Sequence, residues 1–286
     1  MRYAGTMCHA VEKVLSALLR VDLVKGHFLN RAFTYGNRKV AGSEQYLALF
    51  EEARSFEFPE TRAIEDATGF RLEDDWLEKL ALSTQVVVKQ SELNWQHGRL
   101  LYSHLSQMIE KRRGEGFDNE PIMVLETGTA RGYSSLCLAR ALIDSTCMGT
   151  VVTIDALPHH KEMYWNCIED VSGKQSRRQL LARWESELAR IVFVEGTSRG
   201  ALSKLGLSRV HFAFLDAQHT YREVLEEFRY VRERQNRGDV VFFDDVTRGK
   251  FDGVVQAVEE IEKEGLYAIT YMGHPTERGY ALGVRL

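Results

Sequence analysis

The chain has 286 residues, of which 44% are hydrophobic and 27% charged, and its formal net charge is −4. That length holds one large domain, or one domain with a sizeable extension, in a composition typical of soluble globular proteins. The acidic balance lacks the basic excess that phosphate-backbone binding usually leaves, so no nucleic acid partner is expected.

From the N-terminus, Val11, Val14, Leu15, Leu18 and Leu19 fall at helical spacing on one apolar stripe. The default for a stripe of this length is docking on the domain or pairing with a second copy, which would make a homo-oligomer through the N-terminal helices. His9, Glu12 and Lys13 interrupt any apolar leader, and no run approaches the roughly 20 residues of a membrane span. A less regular stretch follows from about Gly36 to Asp75, broken by Gly42, Pro59 and Gly69, with a short helix expected where Tyr46, Leu47, Leu49 and Phe50 cluster. Trp76, Leu77, Leu80 and the Val86–Val88 run predict another helix, and Leu101, Leu105, Met108 and Ile109 one more. Trp95 and His97 either border a substrate pocket from this side or face the core. The polar, glycine-containing segment Arg112–Pro121 is the best boundary in the chain. It divides a helical extension (1–120), expected to shape a substrate pocket or an oligomer contact, from a domain (121–286).

Beyond it, short apolar and often β-branched runs recur at Ile122–Leu125, Val151–Ile154, Ile191–Val194, Val210–Leu215 and Val240–Phe243. Helical stripes alternate with them, one through Tyr221, Val224, Leu225 and Phe228, another through Val254, Val258 and Ile261 and closed by Gly265. Such alternation predicts a parallel sheet covered on both faces. Two extended segments, Leu266–Met272 and Tyr280–Leu286, end the chain; the Gly273–Gly279 turn between them is too short for a parallel crossover and demands an antiparallel hairpin. The fold class is α/β, a Rossmann-like, doubly wound, seven-stranded sheet with an N-terminal helical extension. The four cysteines, Cys8, Cys137, Cys147 and Cys167, include no CxxC pair, which fits free thiols in a reducing cytoplasm. A buried, hydrophobe-like role suits Cys137 in particular. His159-His160 is read as part of a surface loop rather than a metal pair, and Met163, Tyr164 and Trp165 as either a flap or packing.

Ligands of open α/β sheets bind outside the carboxyl ends of the strands. The first run leads into Glu126-Thr-Gly128-Thr-Ala-Arg-Gly132-Tyr-Ser134-Ser135. Counted from Gly128, the third and sixth positions are Ala130 and Tyr133, so the G-x-G-x-x-G dinucleotide fingerprint fails. A carboxylate before the first glycine suits a cationic ligand, such as the amino group of S-adenosylmethionine (SAM), better than a pyrophosphate. Asp155, after the second run, can accept hydrogen bonds from both ribose hydroxyls; its spacing also suits NAD and does not choose between them. The fourth run ends in Asp216-Ala-Gln-His219-Thr220 and the fifth in Asp244-Asp245. Neighbouring strand ends lie about 5 Å apart, and three converging carboxylates repel unless a cation joins them. Hard oxygen ligands suit magnesium. His219 stands just outside a helix opened by the capping box Thr220-x-x-Glu223, placed to act as a general base.

The E-x-G-x-x-x-G-x-S-S loop, Asp155 and the closing hairpin resemble class I SAM-dependent methyltransferases across 122–286. The resemblance implies that Glu126, Gly128, Gly132 and Ser134 line the methionine end of SAM together with Thr129 of the same loop, that Asp155 holds the ribose, and that Gly196 and Ser198 lie near the adenine. Asp216, His219, Asp244 and Asp245 are similar to a narrower group, the metal-dependent O-methyltransferases of the catechol and macrocin-type sugar classes; cephalosporin-hydroxylase-like proteins share the acidic layout. The histidine three residues after the first aspartate matches the sugar type. Asp244-Asp245 departs from the Asp-Asn of the catechol type, which leaves the division of metal contacts open. The reaction implied is methyl transfer from SAM to a hydroxyl of a small molecule, a sugar or natural-product intermediate. In it Asp216, Asp244 and Asp245 hold magnesium, Asp216 also borders the cofactor, and His219 takes the proton. The alternatives are a SAM-binding partner protein without turnover and an NAD-dependent oxidoreductase.

Overall fold

In the computed structural model, residues 36–117, 120–274 and 278–286 are described; the Val11–Leu19 stripe and Cys8 lie outside them. Among the described residues, four helices precede the sheet: α1 (Ser43–Arg54), α2 (Pro59–Thr68), α3 (Asp74–Thr84) and α4 (Gln96–Gly114). The strands are β1 (Ile122–Thr127), β2 (Gly149–Asp155), β3 (Ile191–Glu195), β4 (Phe212–Leu215), β5 (Val240–Phe243), β6 (Tyr267–His274) and β7 (Arg278–Arg285). The longer helices among them are α5 (Tyr133–Asp144), α6 (Tyr221–Arg232) and α7 (Asp252–Lys263). The sheet order is β3-β2-β1-β4-β5-β7-β6. The first five strands pair in parallel, while β7 runs antiparallel to both β5 and β6, as the short closing turn requires.

The sheet is covered on both faces, which is why its central strands read as unbroken apolar runs. One apolar layer joins α4, α5 and the earlier helices to Val124, Phe212, Phe214 and Phe242; the other joins α6 and α7 to Leu125, Leu215 and Phe243. Tyr46, Leu80 and Leu101 thus share a core with β1, β4 and β5, on both sides of residue 120. Phe212, Phe214, Phe242 and Phe243 are all fully buried. At roughly 1.5–3 kcal/mol for each such side chain, they fix the strands whose ends carry Asp216 and Asp244.

Two local expectations need correction. The stretch around Gly42, Pro59 and Gly69 is not irregular. Gly42 is the N-cap of α1, Pro59 opens α2, and Gly69 closes α2 in the left-handed region at φ 78°. Conversely, the helix through Trp76 stops at Thr84 and does not take in Val86–Val88. The Thr84 hydroxyl bonds back to the Leu80 carbonyl at 2.6 Å, and the Asn166 side chain satisfies both the N–H and the C=O of Val88 at 3.2 and 3.0 Å.

Candidate active site

The glycine loop connects β1 to α5. Gly128 and Gly132 take φ 94° and 92°, conformations that side chains resist. A Cβ on Gly128 would stand 2.4 Å from the Asp216 carbonyl oxygen, because the end of β4 crosses directly over the loop. Glu126 is fully buried. Its Oε2 accepts from the hydroxyls of Ser135 and Thr153, while its Oε1 is buried without a partner. Burial raises its pKa, against the pull of hydrogen bonds from Ser134, Ser135 and Thr153. Thr129 turns its hydroxyl onto Thr153 at 2.5 Å, into the protein. Asp155 accepts from the Ala130 and Leu157 N–H groups at 2.6 and 2.5 Å. With about four lone-pair sites on a carboxylate, two remain for a ligand. Burial raises its pKa and the charge of Arg177 opposes this. Gly196 at φ 151° donates its N–H to the Asp155 carbonyl, and Ser198 begins the single helical turn after β3, buried.

Sequence reasoning missed the segment that clasps this loop. Arg177, from the connection between β2 and β3, donates to the Ala130 carbonyl at 2.9 Å and reaches Asp155 at 3.8 Å. Arg131 donates to the Trp165 carbonyl at 2.6 Å, and Leu181 fills the space a Cβ on Gly132 would need. Trp165 is wholly buried, so it packs rather than flaps. His159 stacks on Phe193 at 4.0 Å, and burial lowers its pKa to about 4. The spacing of basic and aromatic residues between 159 and 181 gives no pattern that predicts these contacts.

At the other edge, Leu215, Phe243 and Ala281 lie in register across β4, β5 and β7. One step on, the row continues as Asp216, Asp244 and Tyr280. Asp216, His219 and Asp245 each offer a ligand atom within 4.8 Å of one another. His219 Nε2 is 2.9 Å from Asp245 and 3.9 Å from Asp216. Burial raises the pKa of Asp216 well above the carboxylate range, and the charges of Asp244 and Asp245 push it further. Burial works against a charged His219, but its hydrogen bond and charge interaction with Asp245 outweigh this and raise its pKa. Asp245 sits in the left-handed region at φ 57°, a strained place for a side chain, which aims it at His219.

Asp244 is not brought into that cluster. Its side chain is fully buried and held by Arg278, whose Nη2 donates to Oδ2 at 2.6 Å, while the Asp245 N–H donates to Oδ1 at 2.7 Å. Burial alone would raise its pKa; the Arg278 charge brings it below the usual range. The guanidinium occupies the contact that the sequence assigned to a metal. Beside this pair stand two buried polar atoms without partners, His97 Nδ1 and the Tyr280 hydroxyl. His97, in the first turn of α4, faces Phe214 and Tyr133 with ring centroids 6.3 and 4.9 Å away.

Residues 125–246 match the model of a family described as a methyltransferase domain. No curated protein matches the chain. Among solved structures, the O-methyltransferase TomG from Streptomyces achromogenes, involved in tomaymycin synthesis and bound to SAM, is similar with a TM-score of 0.52 and 21% identity, over 75% of this chain and 91% of that one. An O-methyltransferase from Bacillus cereus in complex with SAH gives a TM-score of 0.50 at 16% identity, over 85% of this chain and 100% of that one. The SAH-bound methyltransferase PaMTH1 of Podospora anserina gives 0.50 at 14% identity, over 81% and 98%. At such identities the structures establish fold. The match to a methyltransferase domain is thus confined to 125–246, and the solved structures share the fold around it. Among the described residues, no helix is long and apolar enough to cross a membrane, and Cys137, Cys147 and Cys167 are buried free thiols.

Proposed function

We propose that the protein transfers the methyl group of SAM to a hydroxyl of a small, hydroxylated acceptor, a sugar or natural-product intermediate, with the help of a divalent cation, magnesium, in the cytoplasm. The observation that carries the reading is the convergence of Asp216, His219 and Asp245 beside the glycine loop.

The residues fit both absent groups. Glu126 Oε1, buried and unpartnered, suits the ammonium of the cofactor, and Asp155 keeps acceptor capacity for the ribose. SAM supplies a methyl carbon activated by its sulfonium. Asp216 and Asp245 offer hard oxygens whose mutual repulsion a cation relieves; when bound, the cation lowers the pKa of a hydroxyl placed against it. Asp244, committed to Arg278, serves as the buttress of this edge. His219 accepts the proton of the acceptor, and Asp245 orients the ring and stabilises the imidazolium it becomes. The chain otherwise contributes positioning and fixed charge. The acceptor lies against Asp216, His219 and Asp245, and the helices before α4, which pack on the same layer as β4 and β5, give 36–95 a part in acceptor choice.

The test is transfer of labelled methyl from SAM across hydroxylated acceptors. Turnover is expected with magnesium and should vanish in chelator. His219→Ala should abolish it while leaving SAM binding intact by calorimetry. Failure of SAM to bind at millimolar concentration would overturn the reading. SAM binding without turnover on any acceptor would favour a partner protein that has lost catalysis.

A further inference from the structure

Glu227 lies midway along α6, on the side that faces the core between Val224 and Val231, and is 3% exposed. An apolar residue is what the stripe calls for there. A carboxyl at such a place is destabilising unless it is hydrogen-bonded, so its contacts must explain it. The Thr127 hydroxyl donates to its Oε2 at 2.8 Å. Thr127 stands between Glu126 and Gly128, at the start of the glycine loop. From the other side the helical turn opened by Ser198 packs against α6, Ser198 favours the ionised form of the carboxyl, and Oε1 is buried and unpartnered. Glu223 of the same helix and His219 from the preceding loop are the charged groups that influence it. One carboxyl therefore reaches the ends of β1 and β3 from the helix that starts directly after Asp216 and His219.

We infer that Glu227 is a positioning residue for the cofactor: through Thr127 and Ser198 it fixes the two loops that hold the methionine and adenine ends of SAM, and so sets SAM affinity without touching SAM. The inference rests on the reading of the pocket as a SAM site.

Calorimetric titration with SAH tests it. Glu227→Leu keeps the volume and removes both acceptors; its Kd for SAH is expected to rise about tenfold, the scale of one or two positioned hydrogen bonds. Glu227→Gln keeps an acceptor and should stay within about twofold of the wild type on the same scale. Ser198→Ala should weaken SAH binding less than Glu227→Leu, and the double variant should be no worse than Glu227→Leu alone, since both remove one connection. With an acceptor in hand, KM for SAM rises and kcat at saturation holds. Thr127→Val paired with Ser198→Ala gives the same comparison should Glu227→Leu not fold. A wild-type Kd in Glu227→Leu, or strictly additive losses, would overturn the inference. Failure of the wild-type chain to bind SAH would instead remove the functional reading on which it rests.

Discussion

Two adjacent aspartates at the end of β5 have opposite surroundings. Asp244 is sealed in the protein against Arg278; Asp245 is strained outward and meets His219. Removing one partner of a buried pair leaves an uncompensated charge, at a cost of roughly 3–5 kcal/mol. Arg278→Met should therefore lower unfolding stability by that order in urea denaturation, while Asp244→Asn, which leaves its charge on the partly exposed Arg278 rather than on a sealed carboxylate, should cost less. Equal small losses would show the pair to be solvated. The Arg278 partner of Asp244 was not legible in the sequence because it lies 34 residues further on, and only the antiparallel ladder of β7 brings it there. The glycine loop was legible because its constraint is local. Gly128→Ala meets both a positive φ and a backbone oxygen 2.4 Å away. It should abolish measurable SAH binding in calorimetry, whereas Gly249→Ala, at φ 76° but in open space, should leave binding unchanged.

Among the elements, strand and helix alternation after residue 120 was legible from periodicity, since each parallel strand needs two covered faces and each helix one stripe. The N-cap was legible too, though not as the full capping box: Thr220 Oγ1 accepts the Glu223 N–H at 3.4 Å, and the Glu223 carboxylate takes the Thr220 hydroxyl at 2.6 Å rather than its backbone N–H. Losing an N-cap costs about 1 kcal/mol, and here the frayed turn carries His219. Gly253 presses on that same turn; a Cβ there would stand 2.7 Å from the His219 carbonyl. Thr220→Ala should lower stability by that amount and also reduce turnover, with Thr220→Ser restoring both. Loss of stability at full activity would separate the cap from the base. The misread helix ends show where periodicity stops informing. Gly42, Pro59 and Gly69 are caps that resemble breaks. Val88 leaves the helical path for Asn166, 78 residues away, a partner no local pattern names.

The molecule as a whole buries titratable groups of opposite pH response, and this makes its acid stability a test of the packing. His97 lies between α4 and the sheet, and burial, with the charge of Arg278, lowers its pKa to about 3; Asp244 pulls weakly the other way and Lys89 adds to the lowering. Between about pH 6.5 and pH 3 the unfolded chain therefore binds a proton there that the folded chain refuses. Stability contributed by neutral His97 is full above pH 6.5 and is lost as pH falls, by about 2 kcal/mol at pH 5. Glu227 acts in the opposite sense. Burial raises its pKa from 4.5 to about 7, so the folded chain binds the extra proton, and stability is gained as pH falls from 7 towards 4.5, by about 2 kcal/mol at pH 5. Urea denaturation of the two single variants at pH 7 and pH 5 separates the contributions. His97→Gln should lose less stability on acidification than the wild type, and Glu227→Gln should lose more, each by about 2 kcal/mol. Parallel behaviour of all three proteins would mean that water reaches both sites, and that neither the layer joining α4 to β4 and β5 nor the one under α6 is closed.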